Sequence, residues 1–283
     1  MNDHHQTGGA SASPAEPPRR LLEVDEVVKR FGGIRAVDGA TMSVRDRSIT
    51  ALIGPNGAGK TTLFNLVTGF YRGDRGSVRF DGQEVFGEPP YELARRGMVR
   101  TFQITKALAA MPVIDNMMLA APNQAGERFR NLFLRPRAIR SQEKEVRGAA
   151  MELLELFNLT RLADDYAGTL SGGQRKLLEL ARALMAEPKL LLLDEPMAGI
   201  NPTLGARLLD HMRHLREERG VTFLFVEHDM EVVMNHSDRV VVMADGKVIA
   251  DGEPHEVRKD RRVIDAYLGA TVGDAAGAKE GSE

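Results

Sequence analysis

The stretch Gly54-Pro55-Asn56-Gly57-Ala58-Gly59-Lys60-Thr61-Thr62 constrains this chain more than any other. It fits the pattern G-x-x-x-x-G-K-S/T, a glycine loop that wraps phosphates. Ile49 to Ile53, just before it, reads as a short buried strand. Thr62 to Thr68, just after it, reads as a helix that Gly69 can end. The chemistry demands that order. Glycines let the backbone close round phosphate oxygens with N–H groups pointing inward, and the helix start behind them carries partial positive charge. In such a loop Lys60 reaches the β- and γ-phosphates and the Thr61 hydroxyl ligates Mg²⁺. A glycine-rich turn that merely caps a helix needs neither residue at this spacing. The loop alone says only nucleoside triphosphate, because several enzyme classes share it.

Composition narrows the classes. The 283 residues allow one large domain or two modest ones. A formal net charge of -2 leaves no global basic footprint, so no nucleic-acid partner is expected. Cysteine is absent, which excludes disulfides and thiol-based metal or redox sites and fits a reducing compartment. No apolar run approaches the roughly 20 residues of a membrane-spanning helix. Residues 1–20 lack the apolar centre of a signal peptide and are rich in Gly, Ala, Ser, Pro and His. They read as a disordered tail in which His4 and His5 are solvated. Residues 271–283 read as a second flexible tail. The chain reads as soluble, so any membrane role must come through a partner.

Leu21 to Arg30, Met42 to Val44 and Ser48 to Ile53 read as strands, and Ser77 to Phe80 with the Asp81-Gly82 turn as a hairpin. The first third is therefore expected to be a mixed sheet with antiparallel strands beside the phosphate-loop strand. Pro89 to Arg96 reads as a helix and Met98 to Phe102 as a strand ending at Gln103. From Lys106 to about Leu170 the pattern is helical, clearest over Val113 to Ala120 and Glu143 to Phe157. The basic run Arg128, Arg130, Arg135, Arg137 and Arg140 reads as solvated surface, with contact to anionic lipid headgroups as the alternative. Alternation then resumes: helix Gln174 to Ala186, buried strand Lys189 to Leu193, helix Pro202 to Arg219, buried strand Val221 to Val226. A hairpin over Arg239 to Ala250 and short helices at Pro254 to Arg258 and Arg262 to Leu268 follow.

Asp194 and Glu195 stand at the carboxyl end of the apolar strand Leu191-Leu192-Leu193, where ligands sit in open α/β sheets. Asp194 suits the Mg²⁺ shell, and Glu195 suits orienting or deprotonating the attacking water. The plainer reading is a charged turn, with Pro196 forcing Glu195 into an extended conformation. In Leu170-Ser171-Gly172-Gly173-Gln174, Ser171 and Gln174 form a capping box. That box does not explain two consecutive glycines, which weaken a helix but leave its N-terminal backbone open to an anion.

With this segment the sequence resembles the ATP-binding cassette (ABC) family, over nearly everything from Leu21 to Leu268. The resemblance implies an α/β P-loop NTPase (RecA-like) core over residues 21–270. It also implies an N-terminal antiparallel β subdomain and an inserted α-helical subdomain at about 106–170. It implies that Phe31 stacks on adenine, Gln103 contacts Mg²⁺ and water, and His228 touches the γ-phosphate. It implies a dimer in which Ser171, Gly172, Gly173 and Gln174 of one subunit face the phosphate loop of another. Asn201 stands where the wider family usually has Asp, and with Pro202 it makes a good helix start. Taken singly, Phe31 reads equally as core, Gln103 as a strand-end polar residue and His228 as a loop histidine.

Four local stretches resemble one ATPase subunit of bacterial branched-chain amino-acid importers. They are Arg100-Thr101-Phe102-Gln103, Ala198-Gly199-Ile200-Asn201-Pro202, Glu227-His228-Asp229-Met230 and Ala266-Tyr267-Leu268-Gly269. A related lipopolysaccharide-export ATPase shares the Tyr-Leu-Gly ending. This resemblance implies a peripheral subunit on the cytoplasmic face of the membrane. Its partners would be a second ATPase subunit, identical or not, membrane-spanning permease subunits and, indirectly, a solute-binding protein. Met111, Met117 and Met118 read as core, or as lining for the permease contact. A DNA-repair ATPase would need a long coiled coil between Lys60 and Ser171, and a translation factor would carry two cassettes. A non-catalytic module would not need Lys60, Asp194, Glu195 and His228 together. His211 and His214 share a helix face without a third ligand and read as surface.

Overall fold

A computed structural model describes residues 19–101, 109–122, 124 and 136–268. Two sheets organise it. The first is antiparallel, in the order β2 (Ile34–Arg45), β1 (Arg20–Phe31), β4 (Arg75–Phe80), β5 (Gln83–Glu84). The second has the order β10 (Lys247–Gly252), β9 (Arg239–Ala244), β3 (Ile49–Ile53), β8 (Thr222–Val226), β7 (Leu190–Asp194), β6 (Met98–Arg100). All its pairings are parallel except β10 on β9. Strand β3 pairs with β8 and β9 and not with its neighbours in the chain. The expected single mixed sheet in the first third is thus corrected. Ile49–Ile53 is buried throughout and needs cover on both faces, which a parallel position gives and an edge beside β2 does not.

Burial within the second sheet alternates between two apolar cores. Ile49, Ala51, Leu191, Leu193, Phe223 and Phe225 belong to one, on the helical side. Leu52, Leu190, Leu192, Leu224, Val226 and Val241 belong to the other, shared with β1, β2 and α1 (Lys60–Val67). The period-two geometry of a strand sends successive side chains to opposite faces, so every central strand is apolar on both. The result is three layers, with the parallel sheet in the middle.

The helical side carries α3 (Val113–Leu119), α4 (Pro136–Leu156), α5 (Gly172–Leu184) and α6 (Pro202–Arg219), after the short α2 (Pro90–Arg95). Helix α4 starts seven residues before the expected Glu143. Met117 is fully buried in the helical-side core and Met118 packs against it, in keeping with the core reading of both. Helices α7 (Met230–His236) and α8 (Pro254–Val257) and a last helix, α9, over 261–268 complete the fold. Arg20, expected in the N-terminal tail, is the first residue of β1. Gln103, His4, His5, Arg128, Arg130 and Arg135 lie outside the described residues. No described helix is long and apolar enough to cross a membrane.

Candidate functional site

The parallel order brings the carboxyl ends of β3, β8, β7 and β6 into one row, so the residues that follow them share an edge. These are the Gly54–Lys60 loop, Glu227 and His228, Asp194 and Glu195, and Thr101. A cavity of about 540 Å³ opens there, lined among others by Thr61, Asn65, Arg100, Asp194, Glu195 and Glu179.

The loop needs its glycines. Gly59 holds φ 95°, and a Cβ on it would sit 2.3 Å from the Ala36 carbonyl oxygen. A Cβ on Gly54 would meet the Met243 carbonyl oxygen at 2.1 Å. Lys60, the first residue of α1, donates from Nζ to the carbonyl oxygens of Gly54 at 2.7 Å and Pro55 at 2.9 Å. Burial pushes its pKa below the usual lysine value, and nearby Glu195 opposes that shift. The chain's far end also reaches this loop. Burial raises the Tyr267 phenol, while a hydrogen bond from the Gly54 backbone opposes the rise.

Glu195 is exposed and takes φ 46°, not the extended conformation expected before Pro196. Its N–H donates to the Val226 carbonyl at 3.1 Å, and its carbonyl accepts from the Ala198 N–H at 3.1 Å. The clash with Pro196 excludes only the right-handed region, and this tight turn selects the left-handed one. A residue held there stores about 1–3 kcal/mol of strain, a cost met where surrounding contacts over-determine the backbone.

Asp194 has a partner that sequence reasoning missed. Arg100, at the end of β6, donates from Nη2 to Asp194 Oδ2 at 2.8 Å and from Nη1 to Asn65 Oδ1 at 2.5 Å. Its guanidinium lies 5.1 Å from the Phe64 ring centre and 5.5 Å from that of Phe70. Only the β6–β7 pairing, which sets Arg100 opposite Leu192, brings this cation to the carboxylate. Arg100→Met leaves Asp194 without it. The variant is expected to lose about 2 kcal/mol of stability, the usual worth of a hydrogen bond to a charged group. A thermal melt without nucleotide checks this, and Arg100→Lys should recover only part, lacking the planar fork.

Glu179, on the third turn of α5, was also missed. Burial raises its carboxyl to about 7, with Lys176 and Arg182 opposing. The folded chain therefore binds this proton more tightly than the unfolded one. The associated stability is present below about pH 4.5 and is lost as pH rises through about 7. Glu179→Gln is expected to melt higher than the parent near pH 8, and with a smaller difference near pH 5.

The remaining candidates are placed as follows. Phe31 is 45% exposed and meets Tyr71 edge-on with ring centres 5.5 Å apart, so it is not core. His228 is exposed, and Asp229 after it caps α7 by accepting from the Glu231 and Val232 amides. Asn201 caps α6, its Oδ1 accepting from Leu204 N at 2.9 Å. Ser171 and Gln174 form the expected capping box, at 3.3 Å and 2.8 Å. Ser171 and Gly172 face solvent and do not line the cavity. A Cβ on Gly173 would overlap Leu204 of α6 at 1.9 Å, whereas one on Gly172 would meet nothing within 4 Å. So the Leu204 side chain packs directly on Gly173, while Gly172 leaves open backbone. His211 is half-buried with its ring 4.8 Å from that of Phe157, which corrects its reading as surface. Among the described residues, no three His, Cys, Asp or Glu side chains gather as a metal site.

Residues 37–198 match the family model described as ABC transporter, and residues 247–272 match that of the branched-chain amino acid ATP-binding cassette transporter. The chain is 43% identical over 251 residues to the high-affinity branched-chain amino acid transport ATP-binding protein BraF of Pseudomonas aeruginosa, covering 89% of this chain and 98% of that one. It is 40% identical over 249 residues to LivG of Salmonella typhimurium, a protein of the same description, covering 88% and 98%. Among solved structures it is similar to the ADP conformation of MJ1267, an ATP-binding cassette of an ABC transporter. That likeness has a TM-score of 0.76 and 38% identity, over 89% of this chain and 99% of that one. A nucleotide-free ATP-binding cassette from an ABC transporter gives 0.76 and 39%, over 88% and 99%.

Proposed function

We propose a role that starts from membership: the chain belongs to the ABC transporter family and is a transport ATPase of that family. The solute we assign is a branched-chain amino acid, and the direction is uptake. The observation that carries this assignment is the match of residues 247–272 to the branched-chain amino acid transporter model, alongside the identity to BraF and LivG.

Within the site, the Gly54–Thr62 loop cradles the triphosphate, with Lys60 released from the Gly54 and Pro55 carbonyls onto it. Phe31 stacks on adenine, a role that its exposed ring beside Tyr71 supports. Glu195 orients and deprotonates water, and His228 contacts the γ-phosphate. The oxygens of Thr61 and Asp194, which line one cavity, suit a hard divalent ion, and Gln103 completes the set. Mg²⁺, when bound, neutralises phosphate charge. Arg100 holds Asp194 in place before the nucleotide arrives.

The signature Ser171–Gln174 stands outside its own cavity with Gly172 open, which supports a head-to-tail dimer where it covers the partner's nucleotide. The closing dimer moves permease subunits, and the chain sits on the cytoplasmic face of the membrane as their peripheral motor. The test is copurification with its permease subunits, reconstitution with the solute-binding protein, and assay of ATP hydrolysis. Leucine, isoleucine or valine should raise turnover. Stimulation by an unrelated solute instead would overturn the assignment.

A further inference from the structure

We propose that Glu227 is a positioning residue that ties the Met197–Asn201 loop to the His228 loop, so that both respond to nucleotide as one body. Glu227 directly follows β8 and is 1% exposed, the one charged side chain among the described residues classed as buried. Its two carboxylate oxygens serve two different loops. Oε1 accepts from the Met197 N–H at 2.9 Å, and Oε2 accepts from the His228 N–H at 3.3 Å. One residue earlier, the Val226 carbonyl accepts from the Glu195 N–H at 3.1 Å. The segment carrying Glu195 and Met197 is therefore fastened to the end of β8 at two successive points, one of which also holds His228.

The chemistry of the side chain argues that this tie is specific. A buried carboxylate is costly, and an apolar side chain would fill the space with no such penalty. Burial raises the Glu227 carboxyl, Glu195 raises it further, and the Met197 and His228 amides draw it down. What a carboxylate offers is two acceptors at fixed separation. Glutamine offers one acceptor and one donor, so it can hold one loop and must repel the other N–H. Leucine holds neither. Beyond Met197, the chain runs through Gly199 at φ 74° to Asn201, the cap of α6. The tie thus reaches from the histidine loop to the start of α6.

The inference rests on the head-to-tail reading above, and its test separates the two. The full chain carrying Glu195→Gln is compared with the same chain also carrying Glu227→Gln or Glu227→Leu. The measurements are backbone amide exchange at Met197 and His228, binding of a fluorescent ATP analogue, and ATP-driven dimerisation. With Glu227→Gln, one or both amides should exchange about 10- to 100-fold faster, the loss expected for a hydrogen bond to a charged group. Nucleotide binding should stay within about twofold while dimerisation weakens about tenfold or more, since only closure needs the loops joined. Glu227→Leu should be worse on both amides. Should Glu227→Gln fail to fold, Glu227→Asp replaces it and must show the same split between binding and closure. Unchanged exchange, unchanged closure, or equal loss of binding and closure overturns the inference alone. Failure of the Glu195→Gln chain itself to dimerise with ATP overturns the head-to-tail reading.

Discussion

Glu195→Gln is expected to slow ATP hydrolysis by about 10²–10⁴-fold, the usual contribution of a positioned general base. Nucleotide binding should survive. Gln has the shape of Glu, and the backbone at φ 46° is held by the Val226 carbonyl and the Ala198 N–H, neither of which touches the side chain. The substitution removes a charge and leaves the geometry. Lys60 loses a nearby anion that opposed the downward shift of its pKa, so its ammonium is slightly less favoured. The variant should therefore bind ATP, close, and stay closed, because in the proposed head-to-tail dimer opening follows cleavage. Single-turnover hydrolysis and size-exclusion chromatography with ATP read both parts. Turnover near that of the parent would remove Glu195 from its role.

A second result of similar size is expected from mixing two inactive chains. Lys60→Ala removes the cation from the phosphate loop, and Ser171→Arg places a long charged side chain where Gly172 leaves open backbone. Each alone should hydrolyse ATP at least about 10²-fold more slowly than the parent, since positioning and charge stabilisation carry this chemistry. In a mixed dimer, one site combines both defects and the other combines intact Lys60 with intact Ser171. Activity should return on mixing, and only then. Chains that hydrolyse ATP as independent monomers would give no recovery and would remove the borrowed half of the site.

Much of the site was legible as strings of adjacent residues. Gly54–Thr62, Ser171–Gln174 and Asp194-Glu195 each hold their proposed chemistry within a few positions, because a strand end, a glycine turn or a helix start is itself a local object. The caps at Ser171 and Asn201 were readable for the same reason: the donor lies three residues from the acceptor. Helix α6 and strand β8 lie within one residue of their expected bounds, since strong caps and a fully apolar run leave little freedom.

What escaped was every contact between distant segments. Arg100 looked like one residue of a family stretch until β6 was laid against β7. Glu227, too, was only one residue of a family stretch until Met197 was brought to it. The φ of Glu195 ran against the local preference before proline because a hydrogen bond from across the sheet outweighs it. Residue types at short spacing thus dictated the loop, the carboxylates and the class of substrate. The burial of five parallel strands between two apolar layers decided that β3 leaves its chain neighbours and sits between β8 and β9. Solvent exclusion over the whole sheet sets that choice, and no window of a few residues contains it.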